Sequence, residues 1–196
     1  MWIDDVVSHA TIRSTWGNSI RDRVVKDFAN AADRDSHTAQ VVDGTLATTA
    51  DDQRLWRKHA GVWLPALPYM AQGTNGADTN LANGQVFNNA VTMQLPAGYR
   101  WGLFTWMVLL STPAALDWCA EARLYTAGGG NLIGAAQQWG HANGASVTLV
   151  LSSAWTVNAA GEGCVGTIQN ITGVANSVVG VNMNNFYSRL SALLIP

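Results

Sequence analysis

The stretch YRWGLFTWMVLLS, Tyr99 to Ser111, decides the fold. In an extended chain successive side chains point to opposite sides. Phe104, Trp106, Val108 and Leu110 then share one side, and Trp101, Leu103, Met107 and Leu109 the other. Both sides are apolar. The uncharged run from Trp101 to Leu116 is 16 residues long and contains Pro113, short of the roughly 20 residues a membrane-spanning helix needs. A buried strand followed by a turn fits it, and no membrane insertion is expected. A strand of a two-layer sandwich normally shows one side to water. Here the second side also needs cover, from a sister copy of the chain or, alternatively, from the chain's own loops. The contact with a sister copy is assigned to Phe104, Trp106, Val108 and Leu110.

Outward from this stretch the pattern stays extended. Phe87, Val91, Met93 and Leu95 mostly alternate with polar residues, as do Trp118, Ala120, Ala122 and Leu124, and again Val147, Leu149, Leu151, Trp155 and Val157. Turn signals separate the runs at Pro96-Ala97-Gly98, Gly128-Gly129-Gly130, Ala142-Asn143-Gly144 and Ala160-Gly161. Many short strands at such spacing predict a sandwich or jelly roll.

Charge marks a boundary. Residues 1–70 hold nine Asp/Glu and eight Lys/Arg, whereas residues 71–196 hold four and three. The segment AQGTNGADTNLANG, Ala71 to Gly84, lies at the change and is rich in turn-forming residues, so it is read as a linker between an N-terminal part, 1–70, and a sandwich, 85–196. In the N-terminal part Ser8 is a plausible N-cap, and Ile12, Trp16, Ile20, Val24 and Phe28 fall four apart, predicting one apolar stripe of an anchor helix. Between Val41 and Pro65 a small β-meander is predicted: Thr45–Thr49, a turn at Asp51-Asp52, Arg54–Arg57, a turn at Ala60-Gly61, and Val62–Leu64. Leu55, Trp63 and Leu46 are its expected apolar side. The fold class is therefore mainly β, an N-terminal helix and small β-meander followed by an antiparallel β-sandwich of jelly-roll type.

Composition excludes several functions. The net charge is -2 and no polybasic run occurs, which argues against nucleic acid, whose phosphates require a basic face. Charged residues are 12% of the chain, about half of the roughly 25% usual in soluble domains. Such a surface points to a β-rich fold and to faces buried in an assembly. The opening MWIDDVVSHA has neither the positive nor the continuous apolar region of a signal peptide, and folding in a cytoplasm is expected. Cys119 and Cys164 are then read as unpaired thiols, with a bridge as the alternative.

Titratable groups are too scattered for catalysis, and no enzyme activity is expected. Asp117 and Glu121, four residues apart on one strand, would lie about 13 Å apart along it, beyond the roughly 5 to 9.5 Å of glycosidase carboxylate pairs. His9, His37, His59 and His141 have no metal-ligand spacing, and neither a metal nor another cofactor is expected. Asn170-Ile171-Thr172 is read as a chance sequon. Trp139, beside Gly140 and His141, is the one tryptophan nominated as a candidate glycan contact.

Two blocks resemble known families. Trp2, Val6-Val7, Asn18, Ile20, Arg21 and Asp22, then Phe28, Ala31, Ala32, Arg34 and Asp35, then Gly44, Leu55, Gly61 and Trp63 match in order a block of the minor tail proteins of phages that infect actinobacteria. The match covers about 60 residues. LPAGYRW from Leu95, VNAAGEGCVGTIQ from Val157 and the closing NNFYSRLSALLIP are similar to a C1q/TNF-type jelly roll. That second resemblance implies a homotrimer with inner strands near its axis.

Together they imply a virion structural protein assembled in the host cytoplasm. Residues 1–70 would anchor it to other tail or capsid proteins, and residues 85–196 would form a projecting knob that meets the host envelope. A head fibre or capsid decoration protein is the alternative. A glycan-binding module contacting host cell-surface sugars is another.

Overall fold

The computed structural model describes residues 25–111, 116–127, 130–140, 146–158, 160–184 and 188–196. The chain divides into two compact units, Met1–Leu67 and Pro68–Pro196.

In the first unit, β1 (Lys26–Phe28) leads into a short helix α1 (Ala31–Ser36), a 3-10 turn (Thr38–Gln40) and the strands β2 (Leu46–Thr49), β3 (Arg54–His59) and β4 (Val62–Pro65). The sheet order is β1-β2-β3-β4, with β1 parallel to β2 and the rest an antiparallel meander. Asn30 starts α1 by accepting the Asp33 N–H at 2.9 Å, while the Asp33 carboxylate accepts the Ala29 N–H at 3.0 Å. The first satisfies an amide that a helix start leaves unpaired, and the second ties the incoming chain to the first turn. The two-residue loop Ala60-Gly61 joins β3 to β4 with both φ angles positive, the backbone that matches strand twist in a tight hairpin.

Phe28, Val41, Ala47, Trp56 and Trp63 form this unit's core. The Arg34 guanidinium lies 4.0 Å from the Trp56 ring centroid and 5.9 Å from that of Trp63, and pairs with Asp35 at 2.7 Å. The Lys58 ammonium donates to the carbonyl oxygens of Thr38 and Val41. Buried cations are thus matched by ring faces and acceptors.

Two expectations are corrected here. Phe28 belongs to β1 and not to a helix, because the helix that follows starts only after Asn30; Ile12, Trp16, Ile20 and Val24 lie outside the described residues. The parity of β3 sends Trp56 and Lys58 inward, so Leu55 and its cross-strand neighbourhood at Leu46 are only half-buried.

The second unit comprises β5 (Tyr69–Gln72), β6 (Thr74–Asn75), β7 (Thr79–Ala82), β8 (Val86–Leu95), β9 (Trp101–Ser111), β10 (Trp118–Thr126), β11 (Leu132–Gly140), β12 (Val147–Thr156), β13 (Glu162–Asn170), β14 (Val178–Asn182) and β15 (Arg189–Ile195). One sheet, called outer below, has the order β11-β10-β13-β8-β6. The other, inner, sheet centres on β9. β12 pairs with nearly all of its length on one side, while β15 and β14 share the other side end to end and are flanked by β5 and β7. Counting β5–β7 as the first strand and β14–β15 as the last, the orders are 1-8-3-6 and 2-7-4-5. This is the antiparallel jelly roll, two interlocked Greek keys closed into a sandwich.

The segment Ala71–Gly84 is therefore no linker. It runs as β5 to β7 and contributes Ala71 and Leu81 to the core. Its small polar residues serve an edge, where Gly73 and Gly76 approach Val91 and Phe87 too closely for a Cβ.

Phe104, Trp106, Val108 and Leu110 of β9, with Leu149 and Leu151 of β12, face Trp118, Ala120, Ala122 and Leu124 of β10 and Val91, Met93 and Leu95 of β8 in one core. Gly166 of β13 makes room for Trp106: a Cβ there would stand 2.5 Å from Trp106 Cη2 and 2.6 Å from Val91 Cγ1. Both neighbours are fully buried and have little room to retreat. Gly166→Val is expected to cost about 1–3 kcal/mol through overpacking and to lower the melting temperature by several degrees in a circular-dichroism melt. An unchanged melting temperature would show that this contact does not set the sheet spacing.

Candidate functional site

The residues nominated for a subunit contact, Phe104, Trp106, Val108 and Leu110, point into the sandwich and are 0–1% exposed. The outer sheet covers them. The uncovered apolar side of β9 is the opposite one, where Trp101 is 53%, Leu103 48% and Met107 41% exposed. Two apolar parities are present, as the sequence indicated, with their destinations exchanged.

Register extends this side across the sheet. Trp101, Leu103 and Met107 stand opposite Ile195, Leu193 and Arg189 of β15, and Leu193 stands opposite Met70 of β5. On the other flank, Met107 faces Val150 and Leu103 faces Ala154 of β12. Met70, Val150, Leu193 and Ile195 are exposed. Of the side chains that register places on this face in β5, β15, β9 and β12, Arg189 alone is charged, and its Nε donates to Ser191 Oγ at 3.0 Å. Four strands by about seven residues span roughly 19 by 23 Å. A polar row of Gln72, Ser191, Thr105 and Ser152 crosses this area, with hydrocarbon on either side; the whole area is on the scale of the largest surface patches of monomeric proteins, which commonly mark interaction sites.

The opposite face of the sandwich has a different chemistry. The outward side of the outer sheet presents Glu121, Arg123 and Tyr125 of β10, Gln137 and Trp139 of β11, and Thr167 and Gln169 of β13. Glu121 is 8% exposed; its Oε1 accepts Gln137 Nε2 at 3.1 Å and its Oε2 meets an Arg123 guanidinium nitrogen at 2.5 Å. Trp139, the nominated glycan contact, is 64% exposed.

Other polar groups are engaged in structure. An open cleft of about 250 Å³ is lined by Asp78, Thr79, Asn80, Ser111, Gly180, Val181 and Asn182, and Asp78 Oδ1 accepts the Met183 N–H there at 2.6 Å. Asp78 is the one ionisable group among those lining residues, and acid–base chemistry by a pair of groups has no second member in it. Asp117 lies in the exposed approach to β10, while Glu121 is buried on its outward side. The Asn170 amide of the sequon is fully buried and donates to the carbonyl oxygens of Leu81 and Ser177, which closes it to modification. Among the described residues no group of three or more His, Cys, Asp or Glu is placed to hold a metal. His37 stacks on Phe28 and its Nδ1 lies 2.9 Å from the Asp33 carbonyl oxygen, whereas His9 and His141 lie outside the described residues.

No family model matches the chain and no curated protein matches it. Among solved structures, the Eiger TNF of S. frugiperda aligns with TM-score 0.38 and 8% identity over 66% of this chain and 92% of its own. Murine APRIL aligns with TM-score 0.43 and 9% identity over 66% and 100%. The VP2 protein of infectious bursal disease virus aligns with TM-score 0.37 and 9% identity over 69% of this chain and 39% of its own. The strand order, and not these likenesses, identifies the jelly roll.

Both thiols are free and buried. Cys164 is in register with Thr126, seven residues along β10 from Cys119, a separation of about 23 Å against the 7 Å limit for a bridge. Burial, and to a lesser extent the Glu162 charge, pushes the Cys164 thiol up to about 12; burial and then Glu121 also raise Cys119. The folded state therefore keeps these protons where the unfolded chain loses them. Stability is expected to fall as pH rises from about 9 toward about 12, beyond any fall seen in a Cys119→Ala, Cys164→Ala double variant. At pH 8 both thiols should react with a thiol reagent only after unfolding; fast reaction of the native protein would refute their burial.

Proposed function

We propose that the chain is a structural subunit of a virus particle, a homotrimeric minor tail protein of a phage, held to its particle through the N-terminal unit and displaying the jelly roll. The observation that carries this reading is the uncovered apolar face of the inner sheet. Leaving Trp101, Leu103, Met107, Val150 and Leu193 in water forfeits about 25 cal/mol for each Å² that a partner would bury. A second copy is a fitting occupant because the chain supplies a complementary second surface. Among the described residues β12 is paired as a strand with β9 alone, and its ten residues VTLVLSSAWT contain no charge and no proline. β11 packs against part of that edge, where Ser153 Oγ donates to the Ile133 carbonyl oxygen; along the rest, no charge or proline guards it against further association.

A ring of like subunits needs two different patches on each copy. The sheet face is one and the β12 edge the other. Each copy would contribute roughly 440 Å² of projected sheet to one contact, about half of the ~800 Å² per partner of a standard interface, and the edge would supply the remainder. The resemblance of residues 2–63 to phage minor tail proteins supports the particle assignment, and the resemblance of the second unit to C1q/TNF-type jelly rolls supports three copies. The net charge of -2 fits a subunit that meets protein and not packaged nucleic acid.

Light scattering on the purified chain is expected to give three times 20.9 kDa. Leu103→Asp, on the exposed side of β9, should shift it toward the monomer with its β-sheet spectrum intact, because an ionised carboxylate at a dry contact is strongly disfavoured. Gln94→Glu, on the outward side of the outer sheet, should leave the mass unchanged. A wild-type monomer at micromolar concentration would overturn the trimer. Gold-labelled antibody on intact particles should mark the tail; label on the head would overturn the tail assignment.

A further inference from the structure

We propose that the outward face of the outer sheet around Trp139 binds an uncharged glycan chain, with the indole as its stacking platform. The proposal deepens the reading of a displayed virion subunit by naming what the displayed face recognises. It rests on that reading only for the source of the glycan, the host envelope.

An indole that is 64% exposed lies on a regular strand, in register with Cys119, which is itself fully buried. Two residues along the same strand, about 7 Å away, Gln137 stands opposite Glu121, and Glu121 stands opposite Gln169 on the next strand. This makes a row of amide, carboxylate and amide running across three strands beside the indole. Glu121 fixes its neighbours: one oxygen holds the Gln137 amide and the other the Arg123 guanidinium. Gln137 keeps an acceptor oxygen and Arg123 keeps further donors for a ligand. Side chains held in this way lose less freedom when they bind.

The chemistry of this face selects among ligand classes. Glu121 and Arg123 cancel, so the row carries no net charge and gives phosphate polymers nothing to exchange for their counterions. Its other exposed apolar side chains stand apart from the indole, Val86 beyond Gln169 and Leu132 beside Tyr125, which leaves little continuous hydrocarbon for a protein partner or a bilayer surface. A sugar chain is uncharged, offers paired hydroxyl groups to amides, carboxylates and guanidinium groups, and has an apolar C–H side that packs on an aromatic face. A sheet face suits several units of a chain laid along its strands better than one enclosed sugar. Weak contacts of this kind gain strength when several copies engage one surface.

The test uses the full chain in its native oligomeric state, titrated by calorimetry with hexasaccharides of glucose, mannose and galactose. At least one should bind, and Trp139→Ala should weaken it about tenfold or more, the loss expected when an aromatic anchor is truncated. Glu121→Gln, which releases Arg123, should weaken it less. The light-scattering mass and melting temperature of Trp139→Ala should match the parent's. No binding by any of the three at millimolar concentration, binding undiminished in Trp139→Ala, or a changed mass in that variant would each overturn the proposal, the last by making the indole a subunit contact. Failure of the trimer would instead appear in the wild-type mass, whatever the calorimetry shows.

Discussion

The seating of Trp106 over Gly166 is the contact on which the rest of the second unit depends. The indole fills the space between the sheets, and the absent Cβ at Gly166 lets β13 approach it. Side chains alternate along β9, so fixing Trp106 inward also fixes Phe104, Val108 and Leu110 inward and Trp101, Leu103 and Met107 outward. A slip of one residue would exchange the two sets. The apolar outer surface of the inner sheet is thus a direct consequence of a core contact. The fit has a cost: the indole N–H groups of Trp106 and Trp118 are buried without a hydrogen-bond partner among the described residues, each worth about 1–3 kcal/mol of lost hydration. Volume outweighs polarity at these two positions.

Given that parity, the sandwich presents two unlike surfaces. The inner sheet shows mostly hydrocarbon, crossed by the row Gln72, Ser191, Thr105 and Ser152 and with Arg189 as its one charge in the four strands named above, whereas the outer sheet shows mostly amides, hydroxyl groups and an internally neutralised ion pair. Hydrocarbon gains by being covered permanently. A neutral polar face with fixed donors and acceptors gains by exchanging water for a ligand that offers the same bonds. Assembly on one side and recognition on the other is the division of labour this asymmetry supports.

The jelly-roll class and the turns at Pro96-Ala97-Gly98 and Ala160-Gly161 were legible because alternation and turn chemistry are local properties; the turn signals at Gly128-Gly129 and Ala142-Asn143-Gly144 lie outside the described residues. The direction of β9 was not, since both of its sides are apolar and the inward choice depends on Gly166, 60 residues further along the chain. One local signal did exist. Thr105 is the only polar side chain within the stretch from Trp101 to Leu110, and it belongs to the outward set with Trp101, Leu103 and Met107. The run Ala71–Gly84 was misread for a related reason: edge strands tolerate the same small and polar residues that turns prefer. Four-residue spacing placed Phe28 on a helix, yet the Asn30 cap begins the helix after it. Trp139 stood out by its sequence context and its ring is exposed, whereas the row beside it required register, because Glu121, Gln137 and Gln169 come from three separate strands.

Low charge density follows from the same architecture. Residues 71–196 carry seven ionisable acidic and basic side chains besides His141 and the terminal and thiol groups. Glu121 and Arg123 neutralise each other, which leaves the sandwich with little of the repulsion that keeps free subunits apart. In a solitary molecule such a composition invites unspecific association through the inner-sheet face. Within a closed ring the same face is consumed, and the polar outer sheet becomes the surface that meets solvent. In the proposed ring the scarcity of charge fits a part made to be assembled, and of the charges retained Glu121 orders Gln137 and Arg123 while Asp78 holds the Met183 N–H.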